Sequence, residues 1–229
     1  MAQRAQADVT VWPRGLTGQL ASAGRVGVWF ASRVCHVGRM IDDFAKGYLH
    51  EDLRWVRQSV LGALDGLSEY DVRRPLTATG TNLLGLIKHL TLAEVVYLGE
   101  IFDRPFPEQH PRFDDPDYRN RDSLWARDHE SLADIVSGYR SAWQHADATI
   151  EALAIDASGH VPWWPQPDVK LFNVMVHVLT ETNRHAGHAD ILREQLEGAD
   201  GFATLGQVDD WAAHRARIEE AARHATGGV

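Results

Sequence analysis

The chain has 229 residues, 44% of them hydrophobic and 24% charged, with 23 Lys+Arg against 32 Asp+Glu for a formal charge of −9. This is the composition of a globular domain, and it excludes a disordered chain or a fibrous repeat. An acidic surface repels phosphate backbones, so no nucleic-acid partner is expected, and no apolar run approaches the roughly 18 residues of a membrane span.

Residues 1–39 carry five arginines (Arg4, Arg14, Arg25, Arg33 and Arg39) against one acid, Asp8, and show no sustained helical or strand periodicity. Their apolar core, Val26–Ala31, is shorter than the roughly 7–15 residues of a secretory signal. Residues 1–39 read as a poorly ordered extension, with Met40 an alternative start, and residues 40–229 as the folded domain. The single cysteine, Cys35, falls in the extension; it excludes an intrachain disulfide and a Cys-based zinc site and suits a reducing, cytoplasmic address.

From residue 40 onward the pattern is helical. Leu49, Leu53, Val56, Val60, Leu64 and Leu67 recur every three or four residues along one face, ending near Gly66. A second helix is expected from about Asn82 to Phe102 and a third from about Ser131 to Leu153. A fourth runs from after Asp168, read as its cap, to about Glu197, and a shorter fifth covers about Val208–His224. No strand alternation is visible. Long amphipathic helices bury their stripes most simply in an all-α four-helix bundle with an additional C-terminal helix. The connections 103–130 and 154–168 are long, the second carrying Val161-Pro162-Trp163-Trp164-Pro165, and loops of that length are usually functional or serve as crossovers.

The chain holds 12 histidines. On a helical wheel of about 100° per residue, Leu171, Val174, Met175, Val178, Ala189, Leu192 and Leu196 define the buried face of the fourth helix. His185 falls inside that arc, Glu181 lies beside it, and His177 and His188 sit at its edge. A buried carboxylate is costly unless it is paired or bound to a cation. Glu181 and His185, one turn apart, present an oxygen and a nitrogen to the same side, and His89 on the apolar flank of the second helix can supply a third ligand. His89, Glu181 and His185 thus form a candidate two-His, one-carboxylate site for a divalent metal with open positions. His177 and His188 are alternative ligands or hydrogen-bonding supports of the ligands. Glu94, in the apolar stripe between Leu90 and Tyr97, needs a buried partner, for which a histidine of the fourth helix is available, and is the candidate catalytic base.

Asn82-Leu83-Leu84-Gly85-Leu86-Ile87-Lys88-His89-Leu90, Val161-Pro162-Trp163-Trp164 and Glu181-Thr182-Asn183-Arg184-His185-Ala186-Gly187-His188-Ala189-Asp190 resemble the DinB-like superfamily, in its mini-circle-protein (domain of unknown function 664), mycothiol S-transferase-like branch. The resemblance implies an up-down-down-up bundle with a crossover between helices two and three. It also implies a divalent metal, with Zn the usual expectation and Ni or Fe conceivable, held by one His of helix two and two ligands a turn apart on the last bundle helix. Many relatives have His at both of those positions; the acid at Glu181 is a departure shared with the mycothiol-dependent maleylpyruvate isomerase type. Homodimers are common among such proteins.

Both lines suggest thiol chemistry. The domain from residue 40 onward contains no cysteine, so the sulfur must arrive on a low-molecular-weight thiol, which an open divalent position would convert to thiolate for attack on a small-molecule electrophile, as in an S-transferase, or for addition to and isomerisation of a double bond, as in a thiol-dependent isomerase. Trp163 and Trp164 are candidates to roof the pocket, and Arg184 and Arg193 to hold a carboxylate or sugar hydroxyls. Two rival readings are a metal-dependent hydrolase and a non-catalytic metal-binding or stress-response bundle.

Overall fold

The computed structural model describes residues 27–110, 112–119, 121–197 and 210–225. Seven helices are present among them: α1 (Gly27–Gly62), α2 (Glu69–Arg73), α3 (Leu83–Tyr97), α4 (Pro116–Arg119), α5 (Leu132–Ala152), α6 (Leu171–Glu197) and α7 (Trp211–Ala225). By its contacts the chain divides between Met40 and Ile41. Helix α1 nevertheless begins at Gly27, so helical backbone reaches back into the stretch expected to be poorly ordered; residues 1–26, and the expectation made for them, lie outside the described residues.

Helices α1, α3, α5 and α6 form the bundle, and their side-chain partners give its directions. Along α1, Lys46 reaches the carbonyl of Leu153 and Arg57 reaches Asp147, so α1 and α5 are antiparallel. Along α3, His89 meets Glu181 while Tyr97 packs on His177, so α3 and α6 are antiparallel. Arg193 near the end of α6 bonds the carbonyl of Gly62 at the end of α1, which makes α1 and α6 parallel. The topology is up-down-down-up, an all-α bundle of the DinB type, with α3 and α5 a parallel pair joined by the long crossover. In its larger core Leu53, Val56 and Val60 of α1, Leu84, Ile87 and Leu90 of α3, Tyr139 and Ile150 of α5, and Leu171, Val174 and Met175 of α6 are buried together, and Leu92, Val95, Val96 and Ala142 form a smaller one.

The helix starts follow from capping side chains. Asn82 Oδ1 accepts from the Gly85 N–H at 2.8 Å and Ser131 Oγ from the Asp134 N–H at 3.0 Å, each satisfying a donor that the helix itself leaves free. Asp168 does not cap α6. It lies in a short strand, β2 (Asp168–Lys170), paired antiparallel with β1 (Ser158–His160). The first amides of α6 are taken instead by backbone, Leu171 N–H by the Ala157 carbonyl and Phe172 N–H by that of Ile155. This hairpin was not expected, because three-residue strands are too short to show an alternation. Helix α3 stops at Tyr97, and the predicted remainder is a 3-10 turn, Glu100–Phe102. Helix α7 starts where the Asp210 carboxylate accepts from the Ala213 N–H, and none of its side chains is buried.

The crossover between α3 and α5 rides directly on α3. A Cβ at Gly85 would lie 2.1 Å from the carbonyl oxygen of Leu124, so only glycine allows that approach. This contact holds α4 and the adjoining turns over the face of α3 that carries His89.

Candidate metal centre and its two cavities

His89 comes from the second turn of α3, and Glu181 and His185 from successive turns of the middle of α6. Glu181 Oε1 lies 3.2 Å from His89 Nε2 and 3.1 Å from His185 Nε2. One donor atom from each of the three falls within 4.8 Å of the others. A tetrahedral ion with ligands at about 2.0–2.1 Å separates its donors by roughly 3.3 Å, so two imidazole nitrogens and one carboxylate oxygen at these spacings fit a divalent cation. The rings of His89 and His185 meet edge to face with centroids 4.6 Å apart. All three residues are half-buried rather than deep in the core.

Burial acts on the Glu181 carboxyl by raising its pKa, but the hydrogen bonds and charges of His89 and His185 outweigh it and hold the group below the usual carboxylate range. Burial, with the neighbouring His89 charge, lowers the His185 pKa, favouring the neutral imidazole that metal ligation requires. His188 stands behind His185, Nδ1 to Nδ1 at 3.2 Å, where one ring can orient the other. His177 does not join the three. It is wedged between Tyr97 and Trp164, with centroids 4.6 and 4.8 Å away, and burial lowers its pKa.

Two cavities meet at the cluster. One, of about 650 Å3, is lined by His89, Glu181 and His177 together with Tyr97, Phe113 and Trp163. Trp163 donates its indole N–H to the Tyr97 hydroxyl at 3.1 Å, while Trp164 is packed inward against the core. The second, of about 770 Å3, is lined by His89, Glu181, His185 and His188 together with Thr81, Asn82 and Arg184. Arg184 is exposed there, with Nη1 3.6 Å from Glu181 Oε2.

Two assignments made from the sequence are corrected. Arg193 is not at either cavity: it is bidentate to Glu197, with bonds of 2.9 and 2.7 Å, and ties α6 to the Gly62 carbonyl. Glu94 is not partnered by a histidine and is not placed to act as a base. Both its oxygens are held by Arg57, at 2.7 Å to Nε and 2.6 Å to Nη2, and each side chain is only 1% exposed. Arg57 carried a readable signal, since it lies four residues after Leu53 and three before Val60, on the apolar stripe of α1. Tyr97 and Phe113 were not singled out. Tyr97 reads as one more core position of α3, and Phe113 sits in a crossover whose path no local pattern specifies.

A family model described as mycothiol-S-transferase matches residues 48–198, more than half of the chain. The chain belongs to the mycothiol S-transferase family. That span contains the four bundle helices from Tyr48 onward, the crossover, both cavities and all three residues of the cluster. A search of curated proteins finds no match. Among the described residues no helix is long and apolar enough to cross a membrane.

Proposed function

We propose that the protein is a divalent-metal-dependent S-transferase that joins a low-molecular-weight thiol of the mycothiol type to a small electrophile, with His89, Glu181 and His185 as the metal ligands. The observation that carries this reading is the convergence of three donor atoms within 4.8 Å at the meeting point of two cavities, in a member of a thiol-transferase family. A divalent ion held there supplies one thing, a lowered pKa for a thiol at its open position, so that thiolate is present at neutral pH.

The chain's own residues do the rest. Glu181 and the two imidazoles present the donors, and His188 fixes the ring of His185 through the Nδ1 contact. Tyr97 and Trp163, locked to each other by the indole–hydroxyl bond, form an aromatic wall that excludes water from the reacting sulfur. The sulfur forms its bond to the electrophilic carbon, the leaving group departs with the bonding electrons, and the thiol proton passes to water at the cavity mouth. The thiol with its polar body enters from the side of Thr81, Asn82 and Arg184, and the electrophile from the aromatic side. Zn is the ion we assign, with Ni and Fe compatible with the same nitrogen and oxygen donors. A cytoplasmic address and a homodimer belong to this reading. Phe44, Tyr48 and Trp55, exposed at 72, 59 and 71% on α1, offer apolar surface for the second copy.

The test is consumption of chlorodinitrobenzene with mycothiol as the thiol. The expected result is thiol-dependent conjugation that falls at least 100-fold in His185→Ala, in line with loss of an activated nucleophile. Ester or amide hydrolysis that needs no thiol would assign the centre to a hydrolase instead. Stoichiometric metal with no turnover of either kind would assign it to a binding protein.

A further inference from the structure

The aromatic cavity also carries charge. Two arginines of the crossover line it, Arg112 and Arg119. Arg112 is neutralised, with Nη1 3.1 Å from Glu100 and Nε 3.3 Å from Asp114. Arg119, at the end of α4, has no carboxylate within ion-pair distance among the described residues. Glu100 and Asp114, two of the three acids in the lining, both pair with Arg112 rather than with Arg119. Among the described residues the Arg119 guanidinium thus has no carboxylate partner, and it lines a cavity walled by Tyr97, Phe113 and Trp163, whose ring centroids stand 5.7–5.9 Å apart in tilted or edge-to-face pairs.

We propose that this cavity is the acceptor subsite and that it selects aromatic electrophiles bearing a carboxylate, with Arg119 as the residue that reads the carboxylate. The proposal deepens the S-transferase reading and rests on it for the word acceptor; the binding preference does not. Three ring faces and edges suit a flat aromatic body, since offset and edge-to-face contacts are favoured over other packings. A guanidinium presents a planar fork of donors that matches a carboxylate bidentately, and at the rim of a partly dehydrated cavity that pairing is stronger than in open water. His89 and Glu181 lie in the same lining, so a ligand anchored by its carboxylate at Arg119 extends its ring toward the cluster. The electrophilic carbon is then required at the end of the molecule remote from the acid.

The experiment uses two inert probes of equal size, 2-naphthoate and 2-naphthamide, titrated calorimetrically into the full-length chain. The expected result is naphthoate binding about tenfold tighter than naphthamide, the scale of a charge-assisted hydrogen-bonded pair. Arg119→Gln removes that preference while leaving naphthamide affinity unchanged, and Trp163→Ala weakens both probes. Prior treatment with a chelator leaves the preference intact. Equal affinities in the wild type, no binding of either probe, or full preference retained in Arg119→Gln would each overturn the proposal. So would a preference abolished by chelation but not by Arg119→Gln, because the carboxylate would then be reading the ion. Neither probe can accept a thiol, so failure here leaves the S-transferase reading standing, and failure of thiol transfer leaves this binding preference standing.

Discussion

Arg57 and Glu94 show what a pair of inward-facing charges does when it has a partner and no reaction to perform. Each is 1% exposed, and their two hydrogen bonds of 2.7 and 2.6 Å link α1 to α3 across the core. Removing Arg57 leaves the buried Glu94 carboxylate with nothing to compensate it, which costs about 3–5 kcal/mol, whereas removing Glu94 leaves Arg57 its bond to Asp147. Arg57→Ala is therefore expected to lower the unfolding free energy by about that much in urea titrations, Glu94→Ala by less, and the double variant by less than the sum. Metal content per folded molecule should be unchanged in both. Additive losses would mean that the two residues act independently. That His89, Glu181 and His185 come together was legible in the sequence for the same reason that Glu94 stands out: acids and imidazoles at apolar helical positions need an explanation. What periodicity could not assign was the partner. Glu94 had histidines within plausible reach on the wheel of the fourth helix, and only the packing of α1 against α3 decided for Arg57.

At the scale of elements, the seam between α1 and α5 is polar and hinges on Asp147. His50 Nε2 lies 2.8 Å from its Oδ1, Arg57 Nη1 donates to the same oxygen at 2.7 Å, and Arg54 Nε donates to Oδ2 at 3.0 Å. Burial alone would raise the Asp147 carboxyl, but the bond from His50 and the guanidiniums of Arg57 and Arg54 hold it far below the usual carboxylate range. A depressed folded-state pKa contributes stability that is fully present above the unfolded value, about 3.9, and is lost as pH falls toward the folded value. Asp147→Asn is therefore expected to be less stable than the wild type at neutral pH, with the gap narrowing as pH drops below about 4. Thermal melts across that range check it, and a gap independent of pH would contradict it. The end of α3 fell about five residues short of the expectation, whereas the starts of α3 and α5 were legible to the residue because Asn82 and Ser131 cap them. The β1–β2 hairpin was not, and it took Asp168 away from the cap position the sequence suggested for α6. The crossover was legible as a connection but not as a wall of the site. Its course depends on Gly85 admitting the Leu124 carbonyl against α3, a contact between segments about 40 residues apart, so Phe113 and Arg119 carried no local sign of facing His89.

For the molecule as a whole, fold class, topology and family were already contained in a few motifs, and the match over residues 48–198 agrees with them. The bundle brings α3 and α6 together antiparallel, which sets one histidine of α3 opposite a Glu and a His one turn apart on α6. The crossover and the α5–α6 connection, which carries Trp163, then close an aromatic cavity on one side of that cluster, while a more polar cavity opens on the other. Transfer of a thiol to an electrophile needs two reactants brought to one point, and the two cavities share that point. Thiol transfer at this point depends on the cluster holding a metal ion. The most direct measurement is elemental analysis of the untagged full-length protein and of its His89→Ala and His185→Ala variants, purified side by side. About one equivalent of a single divalent metal per wild-type chain is expected, with well under a tenth of an equivalent in each variant, because one of three ligands is removed. A wild type without stoichiometric metal, or variants that keep a full equivalent, would contradict it.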